Sequence, residues 1–188
     1  MIEAIITDFD GTLVDTFEAN FLAYQKAFFE VGLSLARSQY RDCYGLRYDC
    51  FMQAMKIEDP QLAESIKEAK KNYYPLFFDQ FRPNNSLIRL IETFHSAGQK
   101  TAIASTARKE NLMNAIDYLG IESIFNHIFA GIDVTRGKPS PEIYLKAMAA
   151  LSVSPSNTLI FEDSVVGVAA AKSSGANFMI VPPIQFER

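Results

Sequence analysis

Apolar positions recur along this chain with two different periods, and the architecture changes where the period changes. Ile2 to Ile6 is a short apolar run closed by the turn-forming pair Asp10-Gly11, the pattern of a parallel strand buried on both faces. From Asp15 the spacing becomes helical. Phe17, Phe21, Leu22, Tyr24, Phe28 and Val31 share a face up to Gly32, and Asp15-Thr16-Phe17-Glu18 has the form of a capping box at its start. Further helices are predicted from about Ser38 to Cys43, from Tyr48 to Lys56 and from Pro60 to Phe78, where Leu62, Ile66, Ala69 and Tyr73 mark one apolar face. No segment between Thr16 and Phe81 reads as a strand.

Phe81-Arg82-Pro83-Asn84-Asn85 reads as a linker, and beyond it strands and helices alternate. Leu87, Ile88, Leu90, Ile91 and Phe94 predict a helix stopped by Gly98, followed by a strand from Lys100 to Ser105. Leu112, Met113, Ile116 and Leu119 predict a helix closed by Gly120, and a short strand runs from His127 to Ala130. A helix carrying Ile143, Ala147, Met148 and Leu151 starts near Pro141; then come a strand from Thr158 to Phe161, a helix from Val165 to Ser174, and a last strand from Asn177 to Val181, ended by Pro182-Pro183. Alternation of this kind predicts an α/β fold with a doubly wound parallel sheet, whose ligands bind beyond the carboxyl ends of the strands. The predicted organisation is a core of residues 1–15 and 82–188, interrupted by an all-helical domain at 16–81, a stretch too long to be a loop.

Composition narrows the class of partner. The chain has 188 residues, 48% apolar and 21% charged, with a net charge of -4. That balance provides neither a basic field for nucleic acid nor a polybasic strip for a membrane surface, so the expected partner is a small molecule. No apolar run approaches a membrane span, Met1 to Asp10 lacks the form of a signal peptide, and a cytoplasmic location is expected. Cys43 and Cys50 are expected as reduced thiols, and no zinc-type spacing occurs. A monomer and a homodimer both fit. The chain ends at Arg188 soon after the last predicted strand, which is therefore expected to be less covered than the others.

The candidate chemistry lies at the strand ends. Asp8 and Asp10 follow the first strand two places apart and, at strand period, point the same way; two carboxylates that close call for a cation such as Mg²⁺, for divided roles, or for both. Gly11 lets backbone approach a ligand, and Thr12 adds a hydroxyl. Ser105-Thr106 closes the second strand of the sheet, with hydroxyls and N–H groups suited to a phosphate at a helix N-terminus or simply to capping. Lys138 sits between Gly137 and Pro139 on stiff backbone, and Glu162-Asp163 closes the fourth strand, where Asp163 also suits a helix cap. Carboxylates, a lysine and a hydroxyl on one rim of one sheet describe a site for Mg²⁺ and a phosphoryl group.

In these residues the sequence resembles the haloacid dehalogenase-like superfamily of aspartate-nucleophile phosphatases. Its motifs occur in order as Asp8-Phe9-Asp10-Gly11-Thr12, Ser105, Lys138 and Glu162-Asp163, and the helical insert falls where that superfamily places a cap domain. The texture is similar to the branch of phosphoglycolate phosphatase-like and beta-phosphoglucomutase-like proteins. The resemblance implies a Mg²⁺-dependent phosphatase of a small phosphorylated metabolite. In it Asp8 is the nucleophile that forms an aspartyl-phosphate, and Asp10 is the acid and base. Asp8, Asp10, Glu162 and Asp163 hold the metal, and Gly11, Thr12, Ser105, Thr106 and Lys138 hold the phosphoryl group. Arg47, in a loop of the insert, is implied as a substrate contact, whereas Lys70 and Lys71 read as a solvated face. Hexose-phosphate mutases of that branch carry a histidine where this chain has Asn20, which favours hydrolysis over a mutase. A protein that binds a phosphorylated ligand without turnover is the remaining alternative.

Overall fold

The computed structural model describes residues 1–182, and Pro183 and the chain's end at Arg188 lie outside them. In chain order the elements are β1 (Ala4–Thr7), β2 (Val14–Asp15), α1 (Phe17–Glu30), α2 (Arg37–Cys43), α3 (Tyr48–Ala54), α4 (Pro60–Tyr73), β3 (Arg82–Pro83), α5 (Asn85–Ser96), β4 (Lys100–Ala104), α6 (Lys109–Leu119), β5 (His127–Phe129), α7 (Glu142–Leu151), β6 (Thr158–Glu162), α8 (Val165–Ser173) and β7 (Asn177–Ile180). They form two compact units, Met1–Asp15 with Arg82–Arg188, and Thr16–Phe81.

The first unit is the expected α/β fold. Its sheet runs β5-β4-β1-β6-β7 with every pairing parallel. Every residue of β1 is buried, because the strand lies at the sheet centre with both faces covered. On one face Ala4, Ile6, Ala102, Ala104 and Ile160 meet Ile143, Tyr144, Ala147 and Met148 of α7 and Ala170 and Ala171 of α8. The small side chains let α7 and α8 lie close to the strands. Successive strands proceed outward from β1 through β4 to β5 and then return to β6 on its other side, so strand order reverses between β1 and β6. A crevice outside the carboxyl ends of those two strands is where such sheets bind ligands. Every residue of β7 is exposed.

The passage expected to be a linker is more ordered than its composition suggested. β2 and β3 form a two-residue antiparallel ladder, Val14 opposite Pro83 and Asp15 opposite Arg82. Asn84 then caps α5 through Oδ1, which accepts from the Leu87 N–H, while its own N–H donates to the Leu13 carbonyl at 2.9 Å. A pair of residues is too short to carry a strand period, which is why only the turn signal was visible.

The second unit is all-helical. Its core gathers Phe21, Phe28, Leu35, Tyr40, Phe51, Met52 and Ile66, with edge contacts such as Tyr24 to Phe51 at 4.9 Å between centroids. Three local expectations are corrected. The predicted capping box does not form: Thr16 is the N-cap of α1, its hydroxyl makes no capping bond to the helix N–H groups, and Glu18 instead pairs with Arg37. The helix expected to reach Phe78 ends at Tyr73, because Pro75 has no N–H to give and the chain tightens into a 3₁₀ turn over Tyr74–Gln80. Lys70 is not on a solvated face: it is 6% exposed, with its ammonium 3.7 Å from the Tyr74 ring centroid.

Candidate active site

The site is built where β1 and β6 end side by side. Thr7 pairs with Phe161, and the Asp8 N–H donates to the Phe161 carbonyl at 3.0 Å, so Asp8 leaves the sheet beside Glu162 and Asp163. Carboxylate oxygens of Asp8, Glu162 and Asp163 lie within 4.8 Å of one another. Lys138 reaches between two of them: Nζ donates to Asp8 Oδ1 at 2.6 Å and to Glu162 Oε1, and its side chain is only 3% exposed. The loop that delivers it is tied back by Glu142 at the start of α7, whose carboxylate accepts the Thr135 N–H at 2.7 Å and the Arg136 N–H at 3.1 Å.

Glu162, expected as a metal ligand, has both oxygens engaged by the protein. Besides Lys138, Oε1 accepts from the Tyr144 hydroxyl at 2.8 Å; Oε2 accepts from the Asp163 N–H, the Ser164 N–H and the Ser164 hydroxyl. These donors fix the Glu162 carboxylate within the Asp8, Glu162 and Asp163 group whose oxygens could hold a metal. Gly167 of α8 makes room for it, since a Cβ there would lie 1.9 Å from Glu162 Oε1. Thr12, expected against a phosphate, is fully buried and donates to Asp163 Oδ1 at 2.8 Å, which orients that carboxylate instead. Gly11 serves Asp163 too: it adopts φ +88°, and a Cβ there would meet Asp163 Oδ2 at 2.3 Å.

Ser105 is buried beyond β4 and is not a helix cap. Its Oγ accepts the Ala107 N–H at 3.1 Å, and α6 starts later, at Lys109. Thr106 follows it half-buried. Asp163 is not the cap of α8 either; Ser164 is, accepting the Gly167 N–H. Asp10 is half-buried in the turn after β1, bridged through its backbone to Val14, and its carboxylate is not a member of the Asp8, Glu162 and Asp163 group. Arg47 lies in the helical unit at the start of α3, with Nε 3.5 Å from the exposed Asp49 carboxylate.

Electrostatics argue for a cation. Three carboxylates face one ammonium, leaving two negative charges unbalanced. Burial, together with the neighbouring Glu162 and Asp163, holds Asp8 well above the usual carboxylate range although Lys138 opposes it. Burial also pushes Asp163 up to about 6. Burial disfavours the Lys138 ammonium, but Asp8 and Glu162 outweigh it and hold its pKa high, while Glu162 is lowered because Lys138 and its other donors overcome its own burial. Hard oxygen donors with excess charge of this size suit Mg²⁺, which Asp8, Glu162 and Asp163 could hold.

Tyr144 and Ser164 fall in the motif stretches around Lys138 and Glu162-Asp163 but carry no role in the sequence reading, and Gly167 is not singled out there. Tyr144 falls on the same apolar stripe as Ile143, Ala147 and Met148 and reads as core. Gly167 did leave a signal, a lone glycine inside the helical run Val165 to Ser173, where alanine would be favoured by about 1 kcal/mol.

Comparison with known proteins identifies the family. The family model described as haloacid dehalogenase-like hydrolase matches residues 5–181. The chain is 31% identical to a phosphorylated carbohydrates phosphatase of Thermotoga maritima over 93% of its own length and 82% of that protein's. It is 27% identical to a beta-phosphoglucomutase of Bacillus subtilis over 93% of this chain and 80% of that one. Among solved structures, CbbY from Rhodobacter sphaeroides in complex with phosphate superposes with a TM-score of 0.85 at 29% identity, covering 97% of this chain and 87% of that one. With its family model spanning the sheet from β1 to the end of β7, the chain belongs to the haloacid dehalogenase-like hydrolases.

Proposed function

We propose that the protein is a Mg²⁺-dependent phosphatase that hydrolyses a small phosphorylated metabolite of the sugar-phosphate kind through an aspartyl-phosphate. The observation that carries this reading is the Asp8 carboxylate, buried at the mouth of the sheet and held 2.6 Å from the Lys138 ammonium beside Glu162 and Asp163. An anion that attacks a phosphate ester needs fixed positive charge next to it, and Lys138 supplies it. The substrate class is supported by the relative named for phosphorylated carbohydrates and by the CbbY structure with xylulose bisphosphate.

In the first step an Asp8 oxygen attacks phosphorus, the ester P–O bond breaks, and the leaving oxygen takes a proton from Asp10. In the second, water gives a proton to Asp10 and attacks phosphorus, the bond to Asp8 breaks, and phosphate leaves with Asp8 restored. That proton work is assigned to Asp10, whose carboxylate is outside the Asp8, Glu162 and Asp163 group. Ser105 and the Thr106 backbone are assigned, with Lys138, the role of holding the transferring oxygens, a positioning task that is much of phosphoryl-transfer catalysis. Mg²⁺ held by Asp8, Glu162, Asp163 and the Asp10 carbonyl would neutralise the phosphoryl charge. Glu162 also anchors Lys138. The helical unit is assigned as the substrate-selecting cap, with Arg47 its candidate contact.

A mutase reading draws on the beta-phosphoglucomutase relative. Against it stands Asn20, whose Nδ2 donates to the Thr16 carbonyl and hydroxyl at 3.1 and 3.0 Å and has no acid-base chemistry to offer. The test is phosphate release from a panel of sugar phosphates with Mg²⁺ and with chelator, using wild type and Asp8→Asn. Metal-dependent release abolished by Asp8→Asn is expected. Turnover by Asp8→Asn at the wild-type rate removes the nucleophile, and isomerised sugar without phosphate release identifies a mutase.

A further inference from the structure

The mechanism leaves one buried side chain of the site without a task. Tyr144 is fully buried on α7, its hydroxyl donating to Glu162 Oε1 at 2.8 Å, the same oxygen that accepts from Lys138. The Lys138 ammonium also lies 5.1 Å from the centroid of the Tyr144 ring. Oε2 of Glu162 is held by backbone and side chain at the start of α8, so Oε1 is the end whose charge is shared out.

We propose that the Tyr144 hydroxyl is a positioning residue for catalysis: by taking part of the charge on Glu162 Oε1, it keeps the Lys138 ammonium shared between Glu162 and Asp8 rather than captured by Glu162. This rests on the phosphatase reading, since the position of Lys138 matters only if Asp8 takes up the phosphoryl group. As that bond forms, the charge of Asp8 passes to the phosphoryl oxygens and the ammonium has to follow it. An ammonium drawn toward Glu162 stabilises the transition state less, while ground-state binding through the rest of the site is retained.

Tyr144→Phe isolates the hydroxyl, because it keeps the ring beside the ammonium and its packing on β4 and α8. In the full-length protein with saturating Mg²⁺ and p-nitrophenyl phosphate, kcat is expected to fall about tenfold with KM within about twofold, the loss of one bond to a charged group. Inhibition by orthovanadate, which resembles the transition state, should weaken about tenfold while inhibition by orthophosphate stays within about twofold. The melting temperature should stay within about 3 °C, since Oε1 still accepts from Lys138. In a Glu162→Gln background the same change should add no further loss. A kcat within twofold of wild type, a melting loss or failure to fold with kcat per folded molecule intact, or additive losses with Glu162→Gln would overturn the proposal. An active wild type with an indifferent Tyr144→Phe removes this inference alone; a folded wild type that releases no phosphate from any ester removes the phosphatase reading and this inference with it.

Discussion

Replacing Gly167 with alanine sets two effects of opposite sign against each other. On α8 the substitution gains about 1 kcal/mol of helix propensity, and on an open helix face it would stabilise the protein. Here the new methyl carbon would lie 1.9, 2.0 and 2.2 Å from Oε1, Cδ and Oε2 of Glu162. A carboxylate is the far end of a flexible side chain and could swing away at little cost if it were free. It is not: Glu162 is 0% exposed and accepts from Lys138, Tyr144, Ser164 and two backbone N–H groups. Moving it far enough breaks at least one charge-assisted bond, about 1.5–3 kcal/mol, on top of about 1–3 kcal/mol of overpacking. Collision therefore outweighs propensity, and a net loss of about 2–4 kcal/mol is expected, or a melting temperature lower by roughly 5–15 °C for a chain of this size. Turnover should fall further than stability, about a hundredfold or more, because the anchor of Lys138 has moved. Urea unfolding and phosphate-release kinetics on the same preparation measure both. An alanine variant as stable and as active as wild type would show that Glu162 is not held as described.

Two further outcomes follow from Asp163. Thr12→Val keeps the shape of a buried side chain and removes only the hydroxyl bonded to Asp163 Oδ1, so the Mg²⁺ concentration for half-maximal activity should rise about three- to tenfold with a smaller change in kcat; an unchanged Mg²⁺ requirement counts against Asp163 as a ligand. With burial holding Asp163 at about 6 in the metal-free site, Mg²⁺ has to displace a proton from Asp163 below that pH and none from it above, while the raised Asp8 adds a dependence of the same sign. The apparent Mg²⁺ affinity, titrated calorimetrically between pH 5 and 8, should weaken as pH falls, most steeply below about 6. An affinity that improves on acidification contradicts this.

The sheet was legible from residue order because parallel strands at its centre are buried on both faces. Continuous apolar runs such as Ile2 to Ile6 and Thr158 to Phe161 have few other uses, and their positions at Ala4–Thr7 and Thr158–Glu162 follow. The helices of the second unit were legible for a similar reason, a repeating apolar face. Local polar signals fared less well. The Asp15 to Glu18 motif has the letters of a capping box, yet Glu18 finds a better partner in Arg37, remote in sequence. Lys70 looks solvated by composition and is buried by its neighbours' rings.

For the site, the sequence by itself determined the chemical inventory: carboxylates, a lysine and hydroxyls at strand ends, hence phosphate chemistry. Only the tertiary structure decided how the work is divided among them. Glu162 and Asp163 are adjacent acids, indistinguishable as letters, yet Glu162 turns inward to donors from Lys138, Tyr144 and Ser164 while Asp163 takes its bond from Thr12. Thr12 and Asp163 meet across 151 positions of sequence, and Lys138 and Asp8 across 130. A carboxylate's role is set by which donors reach it and how far water is excluded. Those are properties of elements brought together from across the chain, and no spacing within it encodes them.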